Sequence, residues 1–185
     1  MARTPSNMLP LGTKAPDFSL YDTVSGNTLN LSDLKGVKGT VIMFICNHCP
    51  FVIHVNPELS KLGLEYQNTG ISFIAISSND VTNYPQDAPE LMTEVAQNEG
   101  YSFPYLYDKN QEVAAAYDAA CTPDFYLFDA ELKLVYRGQL DDSRPGNGVP
   151  LTGEDLRNAI TALEQEKTID PDQKPSIGCN IKWKS

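Results

Sequence analysis

A run of apolar residues from Thr40 to Ile45 leads directly into Cys46-Asn47-His48-Cys49-Pro50, and beyond it apolar residues recur at Val52, Val55, Leu59 and Leu62. The run lacks alternation, as a strand covered on both faces does, and the recurrence is the stripe of an amphipathic helix with a kink expected at Pro57. The chain thus carries a Cys-x-x-Cys pair at a strand-to-helix junction. Orphaned N–H groups and the macrodipole at a helix N-terminus favour a thiolate, and the three-residue offset brings the second sulfur within disulfide reach of the first. On this reading Cys46 sits at the exposed cap as the nucleophile and the more acidic thiol, with Cys49 behind it as the resolving residue. His48 offers an imidazole that can stabilise the Cys46 thiolate; the alternative is a solvated loop histidine. Two other uses compete: an inert structural pair, and a zinc site, for which His48 and His54 are near but a second Cys-x-x-Cys is missing.

The rest of the chain supplies a frame for that junction. Asp17 to Tyr21 and Thr28 to Leu31 alternate around Ser25-Gly26-Asn27 as a β-hairpin, and Ser32 opens a short turn to Gly36. Ile71 to Ile76 is a second strand buried on both faces. Asp87 and Glu90 frame a capping box with an early Pro89, starting a helix that ends before Gly100. Pro104 to Tyr107 reads as a short strand and Gln111 to Tyr117 as a short Ala-rich helix. Phe125 to Phe128 and Leu132 to Tyr136 pair around Asp129-Ala130-Glu131, and a last helix opens on Thr152 as N-cap, with Leu156, Ile160 and Leu163 on one stripe. Strands alternating with helices predict a central, mostly parallel sheet covered on both sides. A single domain over 1–185 is expected, with an irregular arm at 1–12 and a tail at 167–185 that docks through Ile177, Ile181 and Trp183.

Charge and length exclude several roles. Fourteen Lys and Arg against 24 Asp and Glu leave a net charge of −10, which repels nucleic-acid backbones and anionic lipid surfaces. The longest apolar run, Val41 to Cys46, is far short of the roughly 20 residues a bilayer span needs. The first ten residues have no signal-peptide pattern, so a cytoplasmic location is expected. Four cysteines are too few to staple a chain of 185 residues.

The junction Phe44-Ile45-Cys46-Asn47-His48-Cys49-Pro50 resembles thioredoxin-fold proteins of the alkyl hydroperoxide reductase/thiol-specific antioxidant (redoxin) superfamily. So do Ala15-Pro16-Asp17-Phe18-Ser19-Leu20, Leu31-Ser32-Asp33-Leu34-Lys35-Gly36, Cys121-Thr122-Pro123-Asp124-Phe125 and Tyr136-Arg137-Gly138-Gln139. The tail Ser176-Ile177-Gly178-Cys179-Asn180 is similar to that of a bacterial peroxiredoxin-like or thioredoxin-like subgroup. The resemblance implies an α/β fold: a thioredoxin-like three-layer αβα sandwich with an N-terminal β-hairpin extension and a docked C-terminal tail. It implies a cis bond at Thr122-Pro123 facing the cysteine pair, with Asn47, Thr122 and Pro123 binding substrate. It also places His48 where the CPHC motif of DsbA has its histidine.

The implied activity is thiol–disulfide oxidoreduction, cycling Cys46 and Cys49 between disulfide and dithiol with a protein or small-thiol partner and a separate reductant. No metal is expected, and no cofactor beyond the redox-active disulfide. A thiol peroxidase is the second reading, and a metal-binding module using Cys46, Cys49 and a histidine the third. The Pro-x-x-x-Thr-x-x-Cys signature of peroxiredoxins is absent: Ile42 and Cys46 precede Cys49 at those offsets, and Gly39 and Met43 precede Cys46. The acid that thioredoxin buries beneath its second cysteine would fall near Thr40, leaving the proton acceptor for Cys49 unassigned. Cys121 and Cys179 are candidate auxiliary thiols, weighed against simple burial. Arg137 and Arg144 are expected at the surface, and Asn79-Asp80 either beside the active loop or capping a turn.

Overall fold

The structure, a computed structural model, describes residues 3–185; Met1 and Ala2 of the expected arm lie outside the described residues. In chain order the elements are β1 (Arg3–Pro5), β2 (Ser19–Asp22), β3 (Thr28–Asn30), α1 (Leu31–Leu34), β4 (Gly39–Phe44), α2 (Pro50–Glu65), β5 (Ile71–Ser77) and α3 (Pro89–Glu99). They continue with β6 (Tyr105–Tyr107), α4 (Glu112–Ala116), β7 (Cys121–Thr122), β8 (Asp124–Asp129), β9 (Leu134–Gly138), α5 (Glu154–Glu164) and β10 (Ile177–Asn180). No helix among the described residues is long and apolar enough to cross a membrane.

Seven strands form one sheet in the order β3-β2-β6-β5-β4-β8-β9. Strand β4 is buried along its whole length, and its period-2 geometry sends successive side chains to opposite faces. Val41 and Met43 enter a core shared with Val52, Val55, Leu59 and Leu62 of α2, Met92 and Ala96 of α3, and Leu156 and Ile160 of α5. Ile42 and Phe44 enter a second core with Leu31 of α1, Val113 and Ala114 of α4, and Tyr117. This is the expected three-layer sandwich, and it explains why Thr40 to Ile45 shows no alternation: neither face meets water.

The sheet is mixed rather than mostly parallel. Strands β4, β5 and β6 run parallel. The β2–β3 and β8–β9 hairpins are antiparallel within themselves and dock antiparallel on β6 and β4. A hairpin reverses the chain without a crossover, so each one appended to a parallel core adds antiparallel ladders. Helix α2 runs on through Pro57. Helix α5 starts one residue later than expected, with Gly153 rather than Thr152 as N-cap, in a left-handed conformation that favours glycine.

The ends of the chain form a second sheet. Strand β1 of the arm, read from sequence as irregular, pairs antiparallel with β10 of the tail, and β10 pairs antiparallel with β7. Ile181 is buried in the second core as expected, but Trp183 remains about half exposed. The indole lies beyond the last strand pairing, so it is not what docks the tail. Strand β10 does that, with Cys179 opposite Thr122.

Candidate active site

Cys-Pro decides where the helix starts. Proline lacks an N–H to bond and keeps the preceding residue out of helical dihedrals, so it belongs at the first helical position. Pro50 takes that place, and Cys49, at φ −70° and ψ 122°, is the N-cap. Its carbonyl accepts bonds from Val52 N at 3.0 Å and Ile53 N at 2.9 Å. The expectation that Cys46 occupies an exposed cap is therefore corrected: Cys46 lies three residues before the cap and is itself buried.

The sulfurs gather against the loop that follows α4. Cys46 Sγ lies 3.4 Å from Thr122 Oγ1, and the Cys49 thiol donates to the Thr122 carbonyl at 3.2 Å. The Thr122–Pro123 bond is cis. Both sulfurs are buried, Cys46 at 2 % and Cys49 at 0 % exposure. On its inner side, Cys49 Sγ is 2.7 Å from the sulfur of Cys179.

The order of acidities also differs from expectation. The Cys49 pKa falls to about 5: the Cys46 thiol, the Cys179 thiol and the backbone N–H groups of Val52 and Cys179 hydrogen-bond its sulfur and together outweigh desolvation. Cys46 is pushed up by its bond to Cys49, by burial and by the Asp87 carboxylate. The helix terminus thus holds its charge on the residue that caps it. Thiolate absorbance in the ultraviolet should therefore appear well below the ordinary thiol pKa of about 8.5, and Cys49→Ser should abolish this low-pH step. A low-pH step that persists in Cys49→Ser and vanishes in Cys46→Ser would reverse the assignment.

Asp87 is the residue that sequence reading missed. It was read as a helix-capping acid, but Ala88 caps α3 without a side-chain bond, while Asp87 closes a 3₁₀ turn, fully buried. Its carboxylate accepts from Asn47 N at 2.8 Å, His48 N at 3.3 Å and Asn79 Nδ2 at 2.8 Å, and lies 2.7 Å from His48 Nδ1. His48 is thus engaged with Asp87 rather than with the Cys46 sulfur, its ring stacked on Tyr84. Asn47 donates to the Gln86 carbonyl and accepts from Tyr105 OH, so its amide holds the loop in place. Asn79 bridges Asp87 to the tail by accepting from Lys182 N, while Asp80 caps the following turn. The signal for Asp87 was a carboxyl two residues before Pro89, which fits a helix cap as well as a loop anchor, and only the tertiary fold separates the two.

Cys46, His48 and Asp87 bring their donor atoms within 4.8 Å of one another. That trio differs from the set of the alternative metal-binding reading, which used Cys46, Cys49 and a histidine. Both Asp87 oxygens already accept hydrogen bonds from the loop, so an ion there would displace the bonds that shape it.

Beyond Pro123, Asp124 is fully buried, accepting from Ser6 Oγ at 2.7 Å and Tyr126 OH at 3.1 Å. Burial pushes its pKa up to about 7 despite those bonds. The folded state then holds a proton that the unfolded chain releases near pH 4, so this residue's contribution to stability declines as pH rises from about 4 to about 7 and is level above. The stability difference between wild type and Asp124→Asn should follow that course in thermal unfolding; a flat difference over the range would contradict it. Cys121 is buried beside this acid, its thiol pushed up by burial first. Thr40 instead holds the Gly36 N–H, away from the cysteines. Arg137 and Arg144 are tied to neighbouring carbonyls and amides, Arg144 through Asp141, Ser143 and Gln139.

A Cys-x-x-Cys leading into a helix N-cap and facing a cis-proline, on a three-layer sandwich of helices about a mixed sheet, defines a thioredoxin-fold protein. The AhpC/TSA family model matches residues 11–137, and the chain belongs to that family. Thiol-disulfide oxidoreductase ResA of Halalkalibacterium halodurans is 30 % identical over 125 residues, 67 % of this chain and 65 % of that protein. The crystal structure of an uncharacterized conserved protein from Geobacillus kaustophilus superposes with a TM-score of 0.97 at 60 % identity, covering all of this chain and 97 % of that one. The thioredoxin domain of a thiol-disulfide oxidoreductase from Bacteroides vulgatus shares the fold, with a TM-score of 0.64 at 22 % identity over 83 % of this chain and 96 % of that domain.

Proposed function

We propose that the protein is a thiol–disulfide oxidoreductase whose redox pair is Cys46 and Cys49. The observation that carries this reading is the seating of both sulfurs against the cis Thr122–Pro123 bond, with Cys46 Sγ 3.4 Å from Thr122 Oγ1 and Cys49 Sγ 3.2 Å from the Thr122 carbonyl oxygen. As Cys46 attacks an incoming disulfide it passes its proton to the Cys49 sulfur. The departing thiolate, the stronger base, takes that proton and leaves as a thiol. Cys49, again ionised, attacks Cys46 Sγ, forms the internal disulfide and releases the second substrate sulfur as thiolate. One disulfide is reduced and one dithiol oxidised, with charge conserved. Thr122 and Pro123 provide the backbone edge against which a substrate chain would lie, and His48, held by Asp87, positions the loop. The substrate is a protein or small-molecule disulfide, a separate thiol reductant restores the pair, no further cofactor takes part, and the setting is the cytoplasm.

The experiment is reduction of a model disulfide with dithiothreitol as electron source, run beside hydroperoxide consumption by the same preparation. Disulfide turnover that needs both Cys46 and Cys49 supports the proposal, and its absence removes it. Peroxide reduction should be slow by comparison, because the Thr and Pro that orient a peroxide in peroxiredoxins are Cys46 and Ile42, or Met43 and Gly39, here. Cysteine-dependent peroxide turnover faster than disulfide turnover would make the peroxidase reading the better one.

A further inference from the structure

The Cys46–Cys49 pair has a third sulfur beside it. All four cysteines are free thiols, Cys46 and Cys49 both lie against Thr122, and Cys49 Sγ is 2.7 Å from Cys179 Sγ on its other side. The position of Cys179 is built in by backbone pairing. Strand β10 sets Cys179 opposite Thr122, the residue that also contacts both active-site sulfurs. Gly178 permits this approach, since a Cβ there would stand 1.9 Å from the Thr122 carbonyl oxygen. On either side, Ser176 Oγ donates to the Pro123 carbonyl at 2.6 Å and Ile181 N to the Ala120 carbonyl at 3.1 Å. Lys182 N donates to Asn79 Oδ1, linking the tail to the carboxylate that holds the cysteine loop. Cys179 is buried, like Cys46 and Cys49, and in contact with Cys49.

We propose that Cys179 is the third thiol of an internal relay, in which the oxidised protein moves its disulfide inward from Cys46–Cys49 to Cys49–Cys179. This rests on the Cys46–Cys49 reading. In the step, the Cys179 sulfur attacks Cys49 Sγ, the Cys49–Cys179 bond forms and the Cys46–Cys49 bond breaks. The proton lost by Cys179 ends on Cys46, which leaves as a thiol. The exchange is isoelectronic and needs no oxidant beyond the disulfide already formed. Its consequence is an oxidised state in which Cys46 is returned to the reduced form. A mixed disulfide on Cys49 would be resolved by the same thiol.

The test is disulfide mapping by mass spectrometry after brief oxidation with diamide and acid quenching, on the full chain, with folding of each variant checked by circular dichroism. Wild type should yield both Cys46–Cys49 and Cys49–Cys179 linkages, and Cys179→Ser only the first. Cys46→Ser, with Cys46→Ala as a second version, should lose a pair of hydrogens and link Cys49 to Cys179. Folded Cys46 variants that stay reduced or retain adducts on Cys49, while wild type forms Cys46–Cys49, would overturn the relay and leave the oxidoreductase reading intact. A wild type that forms no Cys46–Cys49 disulfide would instead remove the reading on which the relay rests.

Discussion

Replacing Cys49 by serine should lower catalytic disulfide turnover by on the order of 10³-fold or more, because residues acting as one unit lose nearly everything when one is removed. The variant should also accumulate mixed disulfides on Cys46. Serine keeps the cap, attack by Cys46 proceeds slowly with solvent taking its proton, and no thiol remains beside Cys46 to resolve the adduct. Non-reducing mass spectrometry with a small disulfide gives the site of the adduct, and steady-state assays give the loss. Adducts that collect on Cys49 in Cys46→Ser, with none on Cys46 in Cys49→Ser, would mean that Cys49 is the attacking thiol.

The second large effect is one of stability. Gly178→Ala puts a methyl carbon 1.9 Å from the Thr122 oxygen and 2.6 Å from its carbonyl carbon, with Pro123 N at 3.1 Å. All three are backbone atoms and cannot turn aside as a flexible side chain does. Strand β10 must lift from β7, loosening the bonds that Ser176, Ile181 and Lys182 make to the body. Overpacking of this kind costs about 1–3 kcal/mol or more, a fall of roughly 2–4 °C in melting temperature per kcal/mol for a domain of this size. Amide hydrogen exchange over residues 176–182 should rise together with that fall. A variant with wild-type melting and unchanged tail protection would mean that the two strands do not constrain each other as their pairing implies.

Much of the site was legible because its local chemistry is written in adjacent residues. An unbroken apolar strand, a Cys-x-x-Cys and a following proline specify a buried strand ending at a helix cap. The cap itself was misplaced by three residues, although Pro50 already held the answer through the restriction it puts on Cys49. The antiparallel flanks of the sheet were present in both hairpins, but hairpins fix only their own pairing. Which strand they dock on depends on which sheet edges are free once the parallel core has formed.

Two long-range features were beyond that kind of reading. Asp87 is 40 residues from Asn47 and 39 from His48 in sequence, and its local surroundings satisfy a helix-cap pattern equally well. Cys179, a candidate auxiliary thiol by sequence, is 130 residues from Cys49, and its place against that sulfur is set by the pairing of strand β10, which the composition of the tail does not signal. By itself the sequence determined the α/β layering and a Cys-x-x-Cys at a strand-to-helix junction, because periodicity and proline stereochemistry act over a few residues, whereas the proline segment facing the pair was implied by the family resemblance. The tertiary structure alone decided which sulfur carries the charge, which acid holds the loop and which third thiol stands behind the pair, because pKa and contact depend on groups that only folding brings together.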